Sequence, residues 1–218
     1  MSHCEMVGLT DNDGVLSRSH IPVLHEVNRR LIPYGLKKPI GYADLDNWNY
    51  IEQTAFGLTG SRNLAHEINE TWFNPQVLRR SPPYHFRLLT YQYYQQAFPL
   101  RVDMATTRRP SCYDSTFDWC RQHAPWLANQ GRLHFNFNGT SGDDFKVSQA
   151  VKYQPLFFVE DNPSTIHALH SAGYYDTLMP THPWNSSHRE LDPWRINNDF
   201  SLFLAIGARC LRYRRHSS

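Results

Sequence analysis

The chain is poor in the features that would commit it to several common classes. It has four cysteines in 218 residues, Cys4, Cys112, Cys120 and Cys210, with no CxxC pair and no partners at zinc-ligand spacing. That excludes a disulfide scaffold or zinc module and leads us to expect a reduced, cytoplasmic protein. No stretch approaches the roughly 18 to 20 continuous apolar residues of a membrane span, and the N-terminus lacks the basic-then-apolar pattern of a signal peptide. Net charge is only +2, so nothing electrostatic favours bulk nucleic-acid binding, and the basic run Arg209 to Arg215 reads as a solvated end. Internal repeats and low-complexity segments are also missing.

What is present suits a folded domain. Apolar residues make up 40% and charged residues 19%, with 12 Tyr, 12 Phe and 6 Trp, enough to build a core. The aromatic-rich surface expected of so small a chain makes a homodimer reasonable.

The order of elements points to an α/β fold. Met6 to Thr10 is a short apolar run stopped by Asp11-Asn12-Asp13-Gly14, a strand ending in a tight polar turn. Ile21, Leu24, Val27 and Leu31 then recur at helical spacing, predicting a helix over 20–31. From Tyr34 to about Pro83 no strand is convincing, and helix-compatible stretches at 42–56, 61–72 and 75–80 suggest a small helical insertion. A helix at 84–97 returns to the core, and strands are expected at 100–105, 133–137, 155–159 and 176–179. Between them lie helices at 111–123, 144–151 and 164–172, the last closed by Gly173. Strands alternating with helices predict a Rossmann-like parallel sheet covered on both faces, with the cap inserted after the first strand.

In such a sheet, ligands sit beyond the carboxyl ends of the strands, where the strand order reverses. Asp11 with Asp13, Thr107, Lys146, and Glu160 with Asp161 all fall at or just past such ends. The set is chemically coherent. Carboxylates can hold Mg²⁺ through oxygen, a hydroxyl and an ammonium can neutralise phosphoryl oxygens, and an aspartate can attack phosphorus. In an extended segment residues two apart face one side, so Asp11 and Asp13 can share a pocket, with Asp13 as general acid and base. A calcium loop is excluded, because the twelfth position from Asp11 is Pro22 where a Glu is needed.

Four motifs in this order, Asp11-Asn-Asp13-Gly-Val, Thr107-Arg-Arg-Pro, Lys146 and Glu160-Asp161-Asn-Pro, resemble those of the haloacid-dehalogenase-like hydrolases. Within that superfamily the chain looks most like the 5′(3′)-deoxyribonucleotidase branch, on Trp72-Phe-Asn-Pro75 followed by Pro82-Pro83, on Thr107-x-Arg-Pro, and on His182-Pro-Trp-Asn185. The resemblance implies a Mg²⁺-dependent phosphomonoesterase acting through an aspartyl-phosphate, and a 5′-nucleotidase substrate, a nucleoside or deoxynucleoside monophosphate. It makes Asp11 the nucleophile and Asp13 the acid/base, and assigns Thr107, Arg108 and Lys146 to the phosphate. The metal falls to Asp11, Asp161 and Asp13, the last through its backbone carbonyl. It divides the chain into a core of residues 1–16 and 95–218 and a helical cap of residues 17–94.

Several assignments stay open. Thr106 competes with Thr107, Lys152 with Lys146, and only one of Arg108 and Arg109 is expected to face the phosphate. Thr10 stands where the family has an apolar residue. Trp48, Phe56, Trp72 and Phe73 could stack a nucleobase or fill the cap, with Phe56, Trp72 and Phe73 the chosen substrate contacts. His167 and His170 lie three apart on one helix, but no nearby carboxylate or cysteine completes a metal site, so they are read as surface or packing residues. A phosphorylated nucleic-acid end remains the alternative substrate, and a catalytically silent binding protein the alternative class.

Overall fold

The computed structural model describes residues 5–47, 49–128 and 131–217; Cys4 and Trp48 lie outside them. Six strands, β1 (Met6–Thr10), β2 (Leu100–Thr106), β3 (Leu133–Phe135), β4 (Phe157–Val159), β5 (Thr177–Pro180) and β6 (Arg195–Ile196), form one sheet in the order β3-β2-β1-β4-β5-β6. Every pairing is parallel. From β1 the chain builds outward through β2 to β3, then crosses back to β4, so the order reverses between β1 and β4. The crevice beyond their carboxyl ends is where a ligand is expected.

Alternation along the strands sorts side chains onto two faces. Met6, Val102, Met104, Phe157 and Val159 join one cluster with α5 (His85–Ala97), α6 (Tyr113–His123), α7 (Pro125–Ala128) and α10 (Asp199–Ser217). Leu9, Ala105 and Phe158 face the other way, onto α8 (Gly142–Tyr153) and α9 (Pro163–Ser171). This is the expected parallel sheet with helices on both faces. Thr10 is fully buried because its hydroxyl meets the Tyr91 hydroxyl at 3.3 Å, which explains a polar residue at the end of a central strand. Asp103, the other polar intrusion, is buried against His134 Nε2 at 2.9 Å.

The crossover from β1 to β2 carries the insertion. Here α1 (His20–Leu31), α2 (Tyr50–Thr59), α3 (Arg62–Asn69) and α4 (Pro75–Leu78) pack around Val23, Val27, Leu31, Ile51, Ala55, Ala65, Ile68 and Val77, a core separate from that of the sheet. Local signals set its joints: Gly60 takes a left-handed conformation after α2, the Ser61 hydroxyl accepts from Leu64 N, and the Asn74 side chain accepts from Gln76 N and Val77 N.

Three expectations change. The cap boundary at 94 falls inside α5, whose Leu88, Tyr91 and Tyr94 pack in the sheet's cluster, so this helix belongs to the core layer. The basic run 209–215 is the last part of α10: Arg212, Arg214 and Arg215 are exposed, as a solvated end should be, but Cys210 is fully buried and the Arg209 guanidinium lies 3.5 Å from Asp176, because an apolar stripe of Leu202, Ile206 and Cys210 packs the helix onto the core. The edge strand β6 was not expected, since two residues give no readable periodicity. Among the described residues, no helix is long and apolar enough to cross a membrane.

Candidate active site

Asp11 begins where β1 ends, its N–H still donating to Val159 O at 2.9 Å, as if the strand ran one residue further. The chain then turns around the Asn12 carbonyl, which accepts from Val15, Leu16 and Ser17 N–H at 3.3, 2.8 and 2.9 Å. Gly14 makes the turn possible in two ways. Its φ is +71°, and a Cβ placed there would lie 2.1 Å from Asp161 Oδ2. The Gly14 carbonyl is itself gripped twice, by Arg87 Nη1 at 2.9 Å and His182 Nε2 at 2.8 Å. Arg87 also binds Val15 O and pairs with Asp199 at the start of α10, tying the loop to two core helices.

His182 has a fixed tautomer. Its Nε2 donates to Gly14 O, so Nδ1 accepts from the Tyr42 hydroxyl, 2.6 Å away on the cap side. Burial and the neighbouring Arg87 push its pKa down to about 3, and the ring stays neutral, stacked on Trp184 at 4.4 Å. Trp184 Nε1 donates to Asp161 Oδ2 at 3.1 Å, and Asn185 Nδ2 donates to Asp161 O at 2.9 Å. The segment His182-Pro-Trp-Asn185 thus braces both halves of the site, the Asp11 loop and Asp161.

Three buried carboxylates, Asp11, Glu160 and Asp161, bring oxygens within 4.8 Å of one another. One cation stands among them: Lys146 Nζ lies 3.1 Å from Asp11 Oδ2 and 2.5 Å from Glu160 Oε2. Although burial opposes its charge, Asp11 and Glu160 hold the Lys146 ammonium above its ordinary range. Burial, with Glu160 and Asp13 adding to it and Lys146 opposing, lifts Asp11 to about 7. Asp161 is raised by burial and then by Glu160 and Asp11. Fully ionised, the cluster sets three negative charges against one positive, a net charge of about −2 that a divalent cation on oxygen donors matches. Glu160 is occupied by Lys146 and by Asn162 N, which donates to its Oε1 at 3.0 Å, so Asp11 and Asp161 are the freer donors. Lys146 is the lysine of the site; Lys152 lies at the far end of α8 over the Tyr153 ring.

Arg108 corrects one expectation. Its Nε and Nη2 donate to the two oxygens of Asp13 at 2.8 and 2.5 Å, and its Nη1 donates to Thr116 Oγ1 at 2.9 Å. With the Asn12 amide oxygen turned toward it, two further contacts of 3.0 Å form. The guanidinium is saturated by protein and orients Asp13; it does not point free donors at a phosphate. Burial would raise the Asp13 pKa, but Arg108 overrides it and holds the carboxyl below the usual range. Thr107, exposed at the cavity wall, carries the free hydroxyl, whereas Thr106 is buried and accepts from Arg108 N at 3.3 Å.

Arg109 turns outward. It forms a two-pronged pair with Glu70 in the turn Glu70–Phe73 and lies 4.2 Å from the Phe73 ring centroid, linking core to cap beside the cavity. The cavity itself, about 350 Å³, has Asp11, Asp13, Thr107, Lys146, Glu160 and Asp161 as its floor. Its roof comes from the cap: Ser19, His20, Asn49, Asn69, Trp72 and Phe73. Of the expected substrate contacts, Trp72 and Phe73 line it. Phe56 does not: it is exposed near Arg62, on the side of α2 away from Ile51 and Ala55, which pack into the cap core. His20 Nδ1 and Asn69 Oδ1 are buried without a protein partner.

No protein-family model matches the sequence, and comparison with curated proteins gives no match. Solved structures do match in shape. A haloacid dehalogenase-like family hydrolase from Streptococcus pneumoniae is similar with a TM-score of 0.66 at 11% identity, over 92% of this chain and 98% of that one. A conserved haloacid dehalogenase-like protein of unknown function from Agrobacterium tumefaciens gives 0.65 at 16% identity, over 94% and 99%. A protein described as a predicted phosphoglycolate phosphatase from Haemophilus somnus gives 0.65 at 13% identity, over 93% and 97%. At these identities the likeness establishes the architecture: the chain has the haloacid-dehalogenase-like α/β fold with a helical insertion after its first strand.

Proposed function

We propose that this chain is a Mg²⁺-dependent phosphomonoesterase that works through an aspartyl-phosphate on Asp11, and that its substrate is a nucleoside or deoxynucleoside monophosphate. The observation that carries the reading is the convergence of Asp11, Asp161, Glu160 and Lys146 at the reversal point of the sheet, under one roofed cavity. Residues 17 to about 83 act as the cap that bounds the substrate.

Asp11 and Asp161 would hold the cation together with the Asp13 backbone carbonyl; when bound, it supplies positive charge to the phosphoryl oxygens and lowers the Asp11 pKa. Thr107 and Lys146 bind the remaining phosphoryl oxygens. Glu160 keeps Lys146 oriented. Asp11 Oδ attacks phosphorus, the ester oxygen leaves, and Asp13 delivers its proton; water then attacks the acyl-phosphate with Asp13 as base, and Asp11 is restored. The Arg108 pair sets the resting state of that carboxyl. With Arg108 in place Asp13 is an ionised base, and the proton it passes to the leaving oxygen is taken up from the monoanionic phosphate of the entering substrate.

The cavity volume sits at the small end of the range for ligand pockets, and the roof limits reach into the floor, which favours a mononucleotide over a phosphorylated nucleic-acid end. Trp72 and Phe73 offer rings to the base, while His20 and Asn69 offer unpaired polar atoms to the sugar or base edge. These rings and polar atoms are what favour a nucleotide over a smaller phosphomonoester in this reading. The test is a panel of monophosphates with Mg²⁺, run on the wild type and Asp11→Asn. Phosphate release confined to nucleotides and lost in the variant is expected; turnover surviving in Asp11→Asn would overturn the mechanism.

A further inference from the structure

A second convergence of ligand atoms lies outside the cavity. His167 is on α9, and His188 and Glu190 are on the segment that follows the bracing residues 182–185. Glu190 Oε1 is 3.1 Å from His167 Nε2 and 3.0 Å from His188 Nδ1, and all three atoms lie within 4.8 Å of one another. We propose that His167, His188 and Glu190 form a zinc site that staples α9 to the 188–190 segment, with water completing the coordination.

The geometry fits the ion. Zinc bonds of 2.0 to 2.1 Å in a tetrahedron set neighbouring ligand atoms about 3.3 Å apart, close to both nitrogen–oxygen separations here. Two imidazoles and one carboxylate with an open position are the donor set for this borderline-soft cation, whereas Mg²⁺ prefers the all-oxygen cluster in the cavity.

The backbones that carry the three ligands are already fixed, so little ordering cost remains at binding. Ile166, next to His167, packs with Leu191, next to Glu190, and with Met179 of β5. Arg195 Nη2 donates to His188 O and to Asn185 O, each at 3.0 Å. The same Asn185 holds the Asp161 carbonyl, and α9 begins two residues after Asp161. Zinc would therefore stiffen the two segments that position Asp161 without entering the cavity. Neither histidine was assigned a metal role from the sequence, because His167 was paired with His170 on its own helix; in the fold His170 bonds Thr177 Oγ1 at 2.8 Å instead.

The experiment uses the untagged full chain in excess Mg²⁺, which occupies the all-oxygen cluster. Zn²⁺ is titrated by calorimetry and thermal melting, and Co²⁺ is added as a visible-absorption probe. One equivalent is expected to bind, with the intense absorption of a tetrahedral nitrogen–oxygen site. The melting temperature should rise by about 5 to 10 °C when the ion is a hundredfold above its dissociation constant. His167→Ala, at an exposed position, and His188→Ala, at a half-buried one, are expected to fold and should weaken binding at least tenfold, while Asp161→Asn should leave it intact. Binding absent in the wild type, unchanged in both histidine variants, or lost in Asp161→Asn would overturn the proposal.

Discussion

Replacing Gly14 by alanine tests how the Asp11 loop and Asp161 depend on each other. Two costs arise. A left-handed φ of +71° costs a residue with a Cβ about 1 to 2 kcal/mol. The new methyl would sit 2.1 Å from Asp161 Oδ2 and 2.8 Å from its Cγ, so the carboxylate must retreat by about 1 Å to reach van der Waals distance. That retreat breaks the Trp184 hydrogen bond, worth a further ~1 kcal/mol, and pulls Asp161 away from Asp11. The sum, about 2 to 3 kcal/mol, corresponds to a melting temperature lower by about 4 to 12 °C in a chain of this size. A displacement of about 1 Å among groups that must align costs on the order of a hundredfold in rate. Gly35→Ala is the control: its φ is +87° but nothing lies within 4 Å of the added methyl, so it should show the conformational cost alone and keep full activity. Melting curves, phosphate release and the Mg²⁺ concentration for half-maximal rate report the three effects. A Gly14→Ala protein with wild-type activity and Mg²⁺ dependence would refute the coupling.

Three further outcomes follow from the same geometry. Arg108→Gln removes the cation that holds Asp13 below its usual range, leaving burial to raise it; the acid limb of the kcat/KM profile should move to higher pH, while Arg108→Lys keeps the limb nearer its place, and an unmoved limb in Arg108→Gln would count against Asp13 as the base. Trp72→Ala should raise KM for a nucleotide about tenfold or more, as loss of a base-stacking surface does, with Phe56→Ala within twofold of wild type. Asp11→Asn, as above, should abolish turnover without lowering thermal stability, because it removes a carboxylate that burial and two like charges disfavour.

The parallel sheet was readable because β1 and β4 are apolar runs ended by polar turns, and because strands alternate with helical periods; β2, with Arg101 and Asp103 in it, was the weaker signal. The floor of the site was readable too: in this fold, strand ends carry the chemistry, and Asp11, Lys146 and Asp161 sit at or behind such ends. Side-chain pairing was not readable. The resemblance implies Arg108 as a phosphate ligand, and only the fold shows Asp13 and Thr116 taking its donors. Arg87, 73 residues from Gly14, and His182, 168 residues away, reach the same carbonyl, and no local pattern announces contacts of that range. Phe56 was chosen by residue type, yet its position on α2 turns it outward. Arg212, Arg214 and Arg215 of the basic end are exposed as expected, and what went unread is the helix beneath them, because charge was weighed and the apolar stripe of Leu202, Ile206 and Cys210 was not.

The central claim is a phosphoryl group carried by Asp11. Rapid acid quench of the wild type during turnover of a nucleoside monophosphate with Mg²⁺, followed by peptide mapping by mass spectrometry, looks for it directly. The account predicts one phosphoryl group, labile to hydroxylamine, on the peptide containing Asp11, and none in Asp11→Asn. Turnover at full rate with no protein-bound phosphoryl group, or one found on another residue, would contradict it.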